Sequence, residues 1–434
     1  MFLKNGDGVQ RSQKGCHALY VGTIVLLAAA PIVAQGVQLV LIGLLTFALA
    51  YLLTFLVRKM CLRFGWVEAV KEGKIHTSAQ PRLGGLAIFA AFLLVSLLFY
   101  VPALTTQHQP VESIFGHTWP KELVIYALFV IASLLIVAVH AYDDVKGLKP
   151  LPKLIAQTVA VLILLGPGLH AFHGVLFFGI HNPFVHGSAA YNPALPWYRQ
   201  TTLTLFIREP VVSWLAIPAV LFTWFWIVGM MNAINFIDGL DGLAAGIVAI
   251  TGLFITIISW SLRQYSIALL AAIFTGAVAG FLPHNWNPAR IIMGDSGSQF
   301  LGIALAVLAI MGGAKFALIL MLLGIPILDV ALVMMHRIMR GQHPMQRDLL
   351  PMHARFTHLH YRLLFGGLNP RQVCLVLYAA TCALGILALA LPSFYKFVGI
   401  LLVEGIMVAL LRWSAYLQKQ RQPDRRPAEE KQAV

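Results

Sequence analysis

Twelve apolar stretches succeed one another along this chain, and most are long enough to cross a bilayer as a helix, which takes about 20 residues. They lie near 18–34, 37–57, 83–103, 122–141, 154–172, 212–233, 243–260, 266–282, 299–313, 316–335, 374–391 and 396–412. A lipid interior offers no water to the backbone, so only helices and closed barrels span it. Stretches of this length select the helix. Composition agrees, with 59% hydrophobic and 11% charged residues, where a soluble domain has roughly a quarter charged. The expected fold is all-α: a polytopic integral membrane protein with about twelve transmembrane helices and cytoplasmic catalytic loops. Residues 1–17 form a cytoplasmic N-terminus, 18–412 the transmembrane domain and 413–434 a basic cytoplasmic tail. Lys4, Arg11 and Lys14 ahead of the first stretch also fit a signal peptide, but a second long apolar segment follows immediately and favours a retained span.

Orientation follows from lysine and arginine, which concentrate in cytoplasmic loops. With the N-terminus inside, 25 of the 31 fall on the cytoplasmic side. The net charge of +14 is then accounted for by topology and anionic lipid, and nucleic acid is not an expected partner. The same orientation, with the protein in the cytoplasmic membrane, places three acidic gaps on the cytoplasmic side: His140-Ala-Tyr-Asp143-Asp144, the segment Asn232 to Gly242, and Gly294-Asp295-Ser-Gly297.

A carboxylate at a membrane boundary is costly and marks function. Asp143 and Asp144 directly follow an apolar span, and Lys146, Lys149 and Lys153 follow them, so acids and phosphate-binding cations adjoin. Neighbouring side chains on a helix end diverge by about 100°, which lets one face a metal and the other a substrate. Asn232, Asn235, Asp238 and Asp241 recur every three residues, a spacing that shares one helical face and predicts convergence on one point. Asp295 opens a span, where free N–H groups favour an anion. Hard oxygen ligands of this kind select magnesium, or manganese, together with substrate phosphates. That is the chemistry of phosphoryl transfer, which rests on charge neutralisation and positioning.

The last large loop carries Arg337, Arg340, Arg347, Arg355, Arg362 and Arg371 with His336, His343, His353, His358 and His360. Arginine forks fit diphosphates, although positive-inside loading explains any single one of them. His358 and His360 have no acid or cysteine at ligand spacing, and Cys16, Cys61, Cys374 and Cys382 form no Cys-x-x-Cys pair, so neither zinc nor a disulfide is expected. Thr201 to Ile207 alternates like a short strand. Glu404 is the one clear acid inside a span and is expected to be buried and paired.

These motifs, in this order, resemble those of the polyprenyl-phosphate N-acetylhexosamine-1-phosphate transferases, from about residue 58 to about residue 380. The run His76-Thr-Ser-Ala-Gln-Pro81-Arg82-Leu-Gly84-Gly85 is similar to that family's first cytoplasmic loop, and Asp143-Asp144 with Lys153-Leu-Ile-Ala-Gln157 to its acid pair. Closer still are Asp238-Gly-Leu-Asp241-Gly-Leu-Ala-Ala-Gly246 and Pro283-His-Asn285 through Met-Gly-Asp295-Ser-Gly297, and Gly324-Ile-Pro-Ile-Leu-Asp329 also fits. The resemblance implies that a polyprenyl phosphate attacks the β-phosphorus of a UDP-N-acetylhexosamine, most simply UDP-N-acetylglucosamine, and releases UMP. It implies magnesium on Asp295 with Asp144, a role for Asp143 or Asp144 in deprotonating or orienting the lipid phosphate, and Lys153 steadying charge. Asn235, Asp238 and Asp241 then lie at the nucleotide and metal end, and Arg82, Arg340, His358 and His360 bind substrate. A phosphate monoester is already mostly ionised at neutral pH, so an ordinary aspartate gains little as its base.

The chain departs from the family in that last loop, where relatives carry an Asp shortly before a His-x-His-His run. Here the run is His358-Leu-His360-Tyr361, and Asp348 is the nearest preceding acid. The partners implied are the lipid phosphate, the nucleotide sugar, the membrane and, as a candidate, a second copy of the chain. Two alternatives stand beside this reading. One is a transferase using UDP-N-acetylmuramoyl-pentapeptide, against which Tyr361 interrupts the histidine run. The other is a twelve-span transporter, which needs polar mid-membrane positions that these nearly clean spans lack.

Overall fold

The structure is a computed structural model describing residues 6–68, 80–106, 111–114, 117–166, 216–311, 315–339, 341, 358–391 and 396–421. Helices dominate: α1 Gly6–Phe64, α2 Gly84–Val95, α3 Val101–Thr106, α4 Lys121–Lys146, α5 Pro150–Leu165, α6 Ala216–Ile237 and α7 Leu243–Ser261. They continue as α8 Tyr265–Asn285, α9 Gly294–Met311, α10 Lys315–Leu322, α11 Gly324–Met339, α12 Leu359–Phe365, α13 Pro370–Ala390 and α14 Lys396–Arg421. A π-helical turn, Ser96–Tyr100, joins α2 to α3. Two short antiparallel pairs complete the described fold, β1 Val67–Glu68 with β2 Gln80–Pro81 and β3 Val111–Ile114 with β4 His117–Pro120.

Among the described residues eight helices are long and apolar enough to cross a membrane. They are Ala34–Phe64, Gly84–Thr105, Lys121–Lys146, Val220–Ile237, Leu243–Ser261, Tyr265–Asn285, Gly294–Met311 and Pro370–Ala390. The chain is therefore an all-α polytopic membrane protein. The stretches expected at 18–34 and 37–57 belong to one unbroken helix, α1, because Pro31 and Gly36 do not stop it. The expected span near 154–172 is α5, 16 residues long, and that near 316–335 divides between α10 and α11 at Leu323. The strand expected at Thr201 to Ile207 lies outside the described residues.

Helix α9 is the hub. It packs on α2, α4 and α6, and every position from Ser296 to Ala309 is buried. Lipid tails are as apolar as leucine, so helices associate through close packing rather than hydrophobic exclusion. The pair α1 and α8 illustrates this: a Cβ on Gly276 or Gly280 would collide with the α1 backbone at Gly43 or Phe47. The lipid-facing remainder is apolar, with Leu41, Leu44, Leu52 and Leu56 exposed on α1.

Buried polar side chains cross the helix interfaces, contrary to the nearly clean spans expected. Gln157 of α5 donates to Gln299 of α9 at 2.9 Å and exchanges bonds with Asn232 of α6 at 3.2 and 3.5 Å. Each amide satisfies another, which is what burial of such groups requires. Glu404, by contrast, is exposed rather than buried, since α14 turns Val403 and Met407 inward instead.

Candidate active site

Helix α4 ends in its acid pair because Gly147, at φ +76°, turns the chain out of the helix and donates its N–H to Asp143 O at 2.8 Å. Pro150 then starts α5, its missing N–H costing nothing in the first turn. Lys153 sits in that turn, and its Nζ bridges two carboxylates, Asp143 Oδ2 and Asp295 Oδ2, the latter at 2.8 Å. The other oxygen of Asp143 accepts from Leu148 N at 2.5 Å. Lys146 and Lys149 are exposed, so of the three lysines only Lys153 joins the acids.

Asp144 does something the sequence did not signal. Its Oδ1 accepts from Asp295 N at 2.9 Å and pairs with Arg82 Nε at 3.2 Å, while Oδ2 accepts from Ser296 N at 3.1 Å and Ser296 Oγ at 2.8 Å. All four acceptor positions of the carboxylate are filled, and the anion that favours the α9 N-terminus is Asp144 itself. Gly294, at φ +77°, is the residue just before, and a Cβ there would collide with Arg82 O and the Asp144 carboxylate.

Arg82 reaches this point by strand-like pairing. Ile292 N donates to Pro81 O at 2.8 Å, Gly84 N to Ile292 O at 3.0 Å, and Gly85 N to Met293 O at 2.8 Å. The approach is so close that a Cβ on Gly85 would overlap the Gly297 backbone. Arg82 Nη2 lies 3.4 Å from Asp295 Oδ1, so two cations bracket three carboxylates.

Carboxylate oxygens of Asp143, Asp144 and Asp295 all lie within 4.8 Å of one another. This spacing and hard-oxygen chemistry fit a divalent cation that completes its shell with phosphate oxygens. The Lys153 ammonium, held between Asp143 and Asp295, already demonstrates a cation position between these two. Asp144, saturated by donors, is the least available of the three.

The segment from Asn232 to Asp241 does not converge on one point. Asn232 faces Gln157, Asn235 donates to Ser298 Oγ at 2.8 Å, and Asp241 accepts from Asn287 Nδ2 and Ala289 N, both at 3.0 Å. The reason is that α6 ends at Ile237, so the residues beyond leave the helical repeat and Asp241 pins the 287–289 turn. Asp238 is different: among the described residues no hydrogen bond or ion pair meets its carboxyl. Burial, reinforced by the negative charges of Asp295 and Asp144, pushes its pKa up to about 8.

A raised carboxyl destabilises the fold wherever the unfolded chain would ionise and the folded one resists. That penalty is absent below the ordinary value near 4 and grows as pH rises toward 8. Asp238→Asn is therefore expected to raise the thermal midpoint at pH 8 and leave it almost unchanged at pH 4, while activity falls. Thermal unfolding of the purified protein in detergent at the two pH values checks this.

His358 and His360 come to the same neighbourhood. His358 Nδ1 bonds Asp329 Oδ2 at 2.8 Å, and its ring stacks on Phe236 and on His360, each at 5.6 Å between centroids. His360 is buried, its Nε2 lacks a hydrogen-bond partner among the described residues, and a Cβ on Gly239 would press against it. Burial, with His358 nearby, holds its imidazole well below the usual value. Tyr361 O–H donates to Gly239 O at 3.4 Å. Arg340 and Asp348 lie outside the described residues. The sequence reading missed Ser296, Ser298 and Gln299, whose type carries no signal, and took Asp329 only as part of a motif.

Carboxylates and cations gathered at the ends of membrane-length helices define a class: an integral membrane protein whose charged chemistry sits at one end of its bundle. The model of the family described as glycosyl transferase family 4 matches residues 126–313. The chain is 30% identical over 411 residues to a decaprenyl-phosphate N-acetylglucosaminephosphotransferase of Mycolicibacterium smegmatis, covering 86% of this chain and 88% of that one. It is 28% identical to a probable undecaprenyl-phosphate N-acetylglucosaminyl 1-phosphate transferase of Bacillus subtilis, covering 79% and 82%. A phospho-N-acetylmuramoyl-pentapeptide-transferase of Streptococcus thermophilus shares 29% over 70% of this chain and 78% of that one. The chain belongs to the polyprenyl-phosphate N-acetylhexosamine-1-phosphate transferase family. It is an enzyme, a phosphotransferase, and the transporter alternative falls.

Proposed function

We propose that this enzyme transfers N-acetylglucosamine 1-phosphate from UDP-N-acetylglucosamine to a polyprenyl phosphate such as undecaprenyl phosphate, with magnesium, at the cytoplasmic face of the cytoplasmic membrane. The observation that carries this is the cluster of Asp143, Asp144 and Asp295 bracketed by Lys153 and Arg82, which suits two phosphate-bearing substrates. The names of the Mycolicibacterium and Bacillus relatives favour this donor. The concentration of lysine and arginine on the same side supports the orientation.

In this reading an oxygen of the lipid phosphate attacks the β-phosphorus of the nucleotide sugar. A new P–O–P bond forms, and the bond from the β-phosphorus to the bridging oxygen breaks, so UMP leaves with that oxygen. Asp295 and Asp143 would hold the cation, and magnesium bound there would supply charge neutralisation on the diphosphate. Lys153 moves from its carboxylates to the phosphate oxygens and steadies the approaching negative charge. Asp143, released from Lys153, orients the lipid phosphate. Asp144 keeps Arg82 and the first turn of α9 in place, and Asp238 and the histidines border the nucleotide sugar.

Release of UMP by detergent-purified protein, given undecaprenyl phosphate and a panel of UDP-sugars with and without magnesium, tests this. Magnesium-dependent UMP from UDP-N-acetylglucosamine is the expected result. UMP from UDP-N-acetylmuramoyl-pentapeptide alone, or none from folded protein, overturns the donor assignment.

A further inference from the structure

An acid from another element, α11, meets the histidine run. Asp329 sits on α11, 29 positions before His358, and both are buried. One carboxylate oxygen holds His358 Nδ1 at 2.8 Å, and the other accepts from Leu359 N at 2.8 Å, at the start of α12. A carboxylate only accepts, so Nδ1 is the donor and the ring's other nitrogen, Nε2, is left for a ligand. The ring also stacks on Phe236, which lies between Asn235 and Asp238 on the end of α6. The carboxylate fixes the ring's rotation and its tautomer, and the stacking fixes its place beside the Asp238 segment.

From this geometry we infer that Asp329 is a positioning residue for the transfer, acting through His358, which it orients toward the diphosphate and sugar of the nucleotide donor. The inference rests on the proposed reading of His358 as a substrate-facing group. It assigns to α11 a part in donor recognition although Asp329 does not itself touch substrate.

Asparagine separates the two things Asp329 does. Its carbonyl oxygen still accepts from Leu359 N, but its amide donates toward Nδ1, so the imidazole must move its proton to Nε2 and present the wrong tautomer. Asp329→Asn is expected to keep the wild-type thermal midpoint and lose roughly 10- to 100-fold in kcat/KM for the nucleotide sugar, the usual effect of removing a group that orients a functional histidine. Asp329→Ala is expected to lose stability as well, which is why the asparagine variant carries the test. The double variant Asp329→Asn with His358→Ala is expected to be no slower than His358→Ala alone, since coupled residues are not additive.

UMP release measured for the wild type, Asp329→Asn, His358→Ala and the double variant separates the outcomes. Wild-type rates in Asp329→Asn with an impaired His358→Ala, or losses that multiply in the double variant, overturn the inference and leave the site reading intact. Wild-type rates in His358→Ala overturn the reading of His358 itself, and the inference with it.

Discussion

Asp144→Asn is expected to abolish measurable UMP release and to displace the first turn of α9, whose N–H groups its carboxylate caps. The carboxylate has 0% side-chain exposure and receives four donors: Arg82 Nε, Asp295 N, Ser296 N and Ser296 Oγ. An amide offers one acceptor oxygen and turns two N–H groups toward donors that need a partner. Arg82 loses one of its two carboxylate partners and keeps Asp295, and the first turn of α9 loses the anion that satisfies it. Since Asp295 stands in that turn, the displacement reaches the site directly. Activity and thermal unfolding, measured on the same preparation, check both halves. A stable, active variant would show that Asp144 neither anchors α9 nor serves the reaction.

The second large effect is expected at Asp295. Its side chain is 19% exposed and meets Lys153 and Arg82, and replacing it with asparagine removes a charge without emptying a buried cap. Asp295→Asn should therefore turn over about 10³-fold more slowly, the scale of losing one preorganised electrostatic contact in a water-poor site, and should lose the stability at neutral pH that the Lys153 and Arg82 charges give by holding its carboxyl below the usual range. The magnesium concentration for half-maximal UMP release should rise, because a hard oxygen ligand has lost its charge. A variant with normal rate and an unchanged magnesium requirement would move the cation away from Asp295.

The contrast between these neighbours was not legible in the sequence. Asp143 and Asp144 are adjacent and chemically identical, yet one pairs with a lysine of the next helix and the other caps a helix 151 positions away. The repeat from Asn232 to Asp241 reads as one polar face, and it stops being one where α6 ends at Ile237. Asp241 is spent on Asn287 and Ala289, while Asp238 is left without a partner among the described residues. Asp348, the nearest acid before the histidine run, lies outside the described residues, and among the described residues Asp329 of α11 bonds His358.

What the amino-acid sequence determines by itself is the solvent and the inventory. Apolar stretches of helix-spanning length dictate a membrane bundle because lipid leaves the backbone no other way to satisfy itself, and acids at their ends mark where the chemistry lies. Local signals also set where α4 stops, at Gly147, and where α5 starts, at Pro150. Tertiary structure decides the division of labour among the acids. Lys153 and Asp295 are 142 positions apart, and Arg82 and Asp295 are 213 apart, so their pairing depends on how α2, α4 and α5 seat against α9. A charged group's role is set by the charges and donors within a few ångströms of it, and those arrive only when the helices pack.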